Sequence, residues 1–104
     1  MPISMWVRKE LSEPGERIDE SGAIVWKVPH DVLNLRDTPL LIAVDPYGDT
    51  VFNHFQIERQ LPDEIEFLRG KLTDSDSSTM IDELERLMTV ACERVHRYLW
   101  FIGD

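Results

Sequence analysis

Residues Pro39–Asn53 read PLLIAVDPYGDTVFN, and the fold hangs on how this stretch is parsed. Pro39–Val44 is a continuous apolar run of strand length, which predicts the central, most buried strand of a sheet. Asp45-Pro46-Tyr47-Gly48-Asp49 then turns the chain. Pro46 presets φ for the first corner, and Gly48 is expected to supply the positive φ of a three-residue hairpin with a bulge. Thr50–Phe52 becomes a short returning strand. Asn53 follows as a helix N-cap, because Asn53-His54-Phe55-Gln56 has capping-box spacing with Asn in place of Ser or Thr.

Downstream of this stretch the pattern turns helical. Ile57, Leu61, Ile65, Leu68 and Leu72 recur at steps of four, four, three and four, one face of an amphipathic helix. Pro62 interrupts that run by removing the bond to the carbonyl of Glu58. The expectation is a kink, or a new helix with Pro62 at its first position and Asp63 and Glu64 against its partially positive N-terminus. Gly70 is a candidate terminator. Thr73–Thr79 is a polar linker, with Thr79 or Ser78 capping the next helix. Met80, Ile81, Leu84, Leu87, Met88, Ala91, Val95, Tyr98 and Leu99 then predict a wide apolar helical stripe. Asp82 with Arg86 and Glu93 with Arg97 have i,i+4 spacing on its polar side. Gly103 is read as the terminator of this helix.

Upstream the pattern is β-like. Met5–Leu11 predicts a strand and Ser12–Gly22 a long loop. Ala23–Val28 is β-branched and aromatic and predicts another strand, stopped by Pro29. His30–Asp37 fits a helical turn or an irregular connection. The architecture expected is α+β in a single domain, residues 1–104. An antiparallel sheet of three to four strands is covered on one face by two C-terminal helices.

Composition excludes more than it proves. The chain has 104 residues and is 42% hydrophobic, with three Trp, four Phe and two Tyr. That is enough apolar mass for one core, so intrinsic disorder is not expected. The 11 Lys and Arg against 20 Asp and Glu give a net charge of −9. A phosphate backbone is bound by concentrated positive charge, so nucleic acid is a poor partner for this chain. The longest apolar runs are Leu40–Val44 and Tyr98–Ile102, far short of the ~20 residues a membrane-spanning helix needs. An anionic membrane surface would repel the acidic faces. The N-terminal MPISMWVRKE lacks the pattern of a signal peptide. Cys92 is the only cysteine, which suits a reducing compartment. A cytoplasmic location is expected.

Few residues carry recognisable chemistry. Asp45 and Asp49 are four apart but lack the alternating oxygen ligands and closing Glu of a calcium loop, so they read as turn residues. Cys92 and His96 would share a helix face, yet a zinc site needs further ligands and only His30 and His54 remain. No metal site and no cofactor are expected. His54 with Asp49 or Glu58 has the makings of an acid–base pair, but no nucleophile motif accompanies it, and the chain is not expected to be an enzyme.

The aromatic and acidic residues carry the binding expectation. Trp26 lies in an apolar run and reads as core. Trp6 and Trp100 lie near the chain ends and read as partly exposed binding anchors. The acids cluster at Glu10–Glu20, Asp63–Glu66 and Asp74–Glu85. Asp63, Glu64 and Glu66 are the representative carboxylates for capture of a basic protein.

DPYGDTVFN at 45–53 and YLWFIGD at 98–104 together resemble segments of small, mostly uncharacterised acidic bacterial proteins. Some of these look like immunity proteins of toxin systems or cargo of mobile gene cassettes. The resemblance implies that Asp45–Asn53 is a structural corner launching the first long helix. It also implies that Gly103-Asp104 lets the last helix end against that corner. No catalytic residue follows from it.

The leading expectation is therefore a small acidic protein-interaction domain, for example an immunity-type inhibitor of a basic toxin. The alternative is a homo-oligomer, such as a homodimer, or a domain binding a cationic or aromatic small molecule. That alternative would use a pocket lined by Trp26, Tyr47, Phe55 and Trp100.

Overall fold

The computed structural model describes residues 3–9, 19–22, 24–94 and 96–103. In chain order these form strand β1 (Ser4–Lys9), strand β2 (Asp19–Ser21) and, after two short 3-10 turns, strand β3 (Asp49–Phe52). Helices α1 (His54–Arg59), α2 (Leu61–Lys71) and α3 (Ser75–Cys92) follow, and strand β4 (Arg97–Ile102) closes the chain. The class is α+β. The sheet is antiparallel throughout, in the order β2-β1-β4-β3. The longer strands β1, β4 and β3 form its body, and the three-residue β2 lies along the free side of β1.

The central strand is not the apolar run. Pro39–Val44 forms a 3-10 turn at Leu41–Ala43 instead of a strand. Its backbone donors are taken elsewhere: the amides of Leu40 and Leu41 donate to the buried carboxylate of Glu64 at 3.0–3.2 Å. Just before it, the Asn34 side chain accepts from the Arg36 and Asp37 amides, and Thr38 bonds back to Asn34. Leu40 and Leu41 still reach the core, so burial made the run apolar without making it extended.

β4 takes the central position. The expected helix through Tyr98 and Leu99 ends at Cys92, and Arg97–Ile102 alternates between buried and half-buried side chains with the period of a strand. Arg97 makes the break. Its buried guanidinium donates to the Val90 carbonyl at 2.6 Å and reaches Glu93 at 3.3 Å, which closes the end of α3. The helix also starts earlier than expected. Asp74, not Ser78 or Thr79, is the N-cap, accepting from the Ser77 amide at 3.0 Å. The salt-bridge spacing held for Glu93 and Arg97. Arg86 bonds Glu83, and Asp82 meets Arg69 of α2.

Other expectations fared unevenly. Met5–Leu11 holds β1 as far as Lys9; residues 10–18 and Ala23 lie outside the described residues. Part of the predicted Ser12–Gly22 loop is strand β2. Ala23–Val28 contributes only an isolated bridge, in which the Trp26 amide donates to the Ile3 carbonyl at 2.7 Å. The capping box at Asn53 and Gln56 is present in full. A new helix does start at this point, one residue earlier than predicted: Leu61 is its first residue and Pro62 its second. α2 runs through Gly70 and ends at Lys71.

The turn at Asp45–Gly48 does not join two strands of a hairpin, since β3 pairs with β4. Gly48 has no positive φ. Its α-carbon instead faces the Asp45 carboxylate, where an added Cβ would lie 2.9 Å from Oδ2. Gly103 does not end a helix. It follows β4 and lets the Asp45–Pro46 backbone approach: a Cβ there would sit 2.5 Å from the Pro46 carbonyl carbon. Its amide bonds the Gly48 carbonyl at 2.9 Å. The segment DPYGDTVFN thus lies beside residues 98–103 of the second segment.

Alternation sorts the sheet into two faces. Met5, Val7, Phe52, Leu99 and Phe101 are buried on one side, under α3, which packs on β1 and β4, and α1, which packs on β4. α2 lies against α1 and α3. Trp26 sits edge-on to Phe101 with ring centroids 5.3 Å apart and closes the core.

Candidate protein-interaction surface

The second face of the sheet carries the residues left over by the core. In register, Trp6, Trp100 and Val51 form one row across β1, β4 and β3. Ser4, Ile102 and Asp49 form the next row, and Arg8 sits opposite Tyr98. Trp6 and Trp100 are both half-buried, and Val51 is exposed. The Trp6 indole donates to the Ser4 hydroxyl at 3.0 Å. The Arg8 guanidinium carbon stands 4.5 Å from the Trp6 ring centroid and 5.6 Å from that of Trp100, so one cation bridges two π faces. The Trp100 indole nitrogen is buried and makes no hydrogen bond among the described residues. The result is an aromatic row with a cation against it, and Trp and Arg are residue types enriched among anchors at protein interfaces.

The sequence-predicted carboxylates separate. Asp63 and Glu66 are exposed on α2, the helix packed on other helices rather than on the sheet. Glu64 points inward and is 2% exposed, so it is not a surface carboxylate. Asp63 and Glu66, three apart, share one face of the helix, whereas Glu64 lies about 100° around from Asp63 and turns inside to receive Leu40 and Leu41. Burial pushes the Glu64 carboxyl above its ordinary range, and the two amide bonds partly offset that.

The predicted pocket of Trp26, Tyr47, Phe55 and Trp100 does not form. Trp26 is in the core, Trp100 is on the opposite face of the sheet, and Tyr47 and Phe55 stand out from the surface. A groove of about 550 Å³ lies elsewhere, between residues 24–29 and the start of α3. Ile24, Val28, Leu72 and Met80 give it apolar walls, and Asp74 and Asp76 stand at its rim with Lys27. The Ser77 amide and hydroxyl hold the Asp74 carboxyl below its usual range.

The titratable pairs are modest. His54 Nε2 meets Glu58 at 2.7 Å one turn along α1, while His54 Nδ1 is buried without a partner among the described residues. Asp49 is not part of that pair, and His54 does not line the groove beside α3. Cys92 ends α3 and His96 lies beyond it, so the two do not share a helix face. Burial, with Glu58 nearby, raises the Cys92 thiol. Among the described residues no group of three or more His, Cys, Asp or Glu could hold a metal. No described helix is long and apolar enough to cross a membrane. No protein-family model, curated protein or solved structure matches the chain.

Sequence reasoning named Trp6 and Trp100 but not the row they form. It missed Arg8 and Val51 as their neighbours. The missing signal was the alternation of Arg97–Ile102, hidden because Tyr98 and Leu99 also continue the helical spacing of α3.

Proposed function

We propose that the protein is a small acidic interaction domain that captures a basic partner protein on the helix-free face of its sheet. An immunity-type inhibitor of a cationic toxin is the form that best fits its size and charge. The observation that carries this reading is the Trp6–Trp100–Val51 row with Arg8 laid across the two indoles. Aromatic anchors supply contact area at low entropic cost. The net charge of −9 supplies long-range attraction to a basic protein and repels acidic competitors. The reading assigns no catalytic residue and no cofactor, and it places the protein in the cytoplasm.

The test is capture from the source lysate by the wild-type protein and by Trp6→Ala and Trp100→Ala, each checked for native circular dichroism. A stoichiometric basic protein held by wild type, released by salt and lost from either variant supports the proposal. Equal retention by all three proteins overturns it.

The groove beside α3 favours a second reading, a binder of small cationic amphiphiles, because apolar walls end at two carboxylates. A thermal-shift screen with alkylammonium and aromatic amine compounds separates the two. A ligand specific for the native state raises the melting temperature, and Met80→Ala abolishes that rise. No shift with any such compound removes this reading.

A further inference from the structure

The hydrogen-bond phase of the sheet shows which backbone groups face outward at β3. The Gly103 amide bonds the Gly48 carbonyl, so Gly48 and Gly103 form a hydrogen-bonded pair of the β3–β4 ladder. Such pairs alternate along an antiparallel ladder. Thr50 with Phe101 and Phe52 with Leu99 are therefore bonded pairs, while Asp49 and Val51 turn their N–H and C=O groups away from β4. β3 is the outer strand, so among the described residues these groups form a free edge.

The surface around that edge is unusual for this molecule. Tyr47 is 74% exposed, Val51 40% and Phe55 65%; of the five large apolar side chains exposed among the described residues, these three are on or beside β3. Val51 also ends the row that begins at Trp6 and Trp100. Asp49 shares that face, and its exposed carboxylate has no ion-pair partner among the described residues. Asp45 and Glu58 add exposed carboxylates on the flanking turn and helix.

We infer that the free edge of β3 is a strand-addition site that takes an extended basic segment of the partner. The inference rests on the interaction-domain reading and adds how the partner is held. The added strand exchanges main-chain hydrogen bonds with Asp49 and Val51. Its residue opposite Val51 is apolar and extends the Trp6–Trp100–Val51 row. Its residue opposite Asp49, two positions away and on the same face, is Lys or Arg. Charge selects this occupant over a second copy, because self-pairing would bring together two chains of net charge −9.

The probe is the peptide acetyl-Thr-Lys-Thr-Val-Thr-Lys-Thr-amide, which presents the basic-x-apolar pattern in both directions. It is titrated into 15N-labelled full-length protein at low salt. The expected result is saturable shifts of the Asp49 and Val51 amides. Binding should be at least about tenfold weaker for the same peptide with Glu for Lys, for its form N-methylated at alternate amides, and for Val51→Pro. The N-methylated peptide keeps the test valid if Val51→Pro does not fold. Shifts confined to the Trp6–Trp100 rows or to the Ile24–Met80 groove overturn the inference. So does the absence of binding, or a dimer that protects the Val51 amide without peptide. The two levels of the reading are separable with the captured partner. If folded Val51→Pro retains it and Trp6→Ala loses it, strand addition fails and the interaction domain stands. If both retain it, both fail.

Discussion

Glu64 is a carboxylate whose surroundings reverse the sign of its contribution. It is buried, and burial raises its pKa above the ordinary 4.5 despite two amide donors. The folded protein therefore binds this proton more tightly than the unfolded chain does. The associated stability is present below about pH 4.5 and is lost as pH rises through the folded value. Glu64→Gln keeps an acceptor for Leu40 and Leu41 and removes the charge. Its melting temperature should gain on wild type as pH rises from 4.5 to 7; a constant difference would show that Glu64 is not the titrating group. Glu64→Ala strands two buried amides and should cost about 2–4 kcal/mol in urea unfolding. Asp74 has the opposite sign. Its pKa is lowered by Ser77, so its contribution is present above the ordinary 3.8 and disappears as pH falls through the folded value. Asp74→Ala should be less stable than wild type at pH 7 and no different in strong acid. Gly103 is constrained by space alone. Gly103→Ala forces a Cβ into the Asp45–Pro46 backbone and should cost about 1–3 kcal/mol, read as a drop of several degrees in melting temperature.

At the scale of elements, what was legible was local. The cap at Asn53 and the restart at Pro62 depend on bonds spanning three or four residues, and both stand as their residue types dictate. What was illegible depended on a partner distant in sequence. PLLIAV reads as a strand until the Glu64 carboxylate, 23 and 24 residues away, takes its amides. Tyr98 and Leu99 read as helix because the spacing of Met80–Ala91 extends to them by coincidence. What ends α3 is Arg97, a charged residue that gave no sign of burial. Its bond to Val90 ties the last turn of the helix to the first residue of β4. Arg97→Ala removes that charge-assisted bond and should cost about 1.5–3 kcal/mol or more. Arg97→Lys should recover part of it. If Arg97→Ala unfolds at the same urea concentration as wild type, the junction is held by packing alone.

Across the whole molecule, the proposed reading gives charge and aromatic anchoring different ranges, and that separation can be read in kinetics. Trp6 and Trp100 could be read as partly exposed from their residue type and positions in the sequence, but the row they form exists only because β1 and β4 pair in the middle of the sheet. The acids are distributed otherwise: Asp63 and Glu66 lie on α2, the helix that packs on other helices. In the proposed interaction domain they would act on the partner through the overall field rather than by contact. Contacts set the dissociation rate, whereas the field sets the association rate and its salt dependence. With the captured partner immobilised, Trp6→Ala and Trp100→Ala should each raise the dissociation rate about tenfold or more and leave association within about twofold. Asp63→Asn with Glu66→Gln should do the reverse. Association should slow by no more than it does on neutralising two other exposed acids such as Asp76 and Glu85, and dissociation should not change. Both association rates should converge as salt approaches about 1 M, where the screening length falls to roughly 3 Å. A faster dissociation in the α2 double variant would mean that α2 touches the partner. The docking face would then be the helical layer, with the aromatic stripe left to some other role.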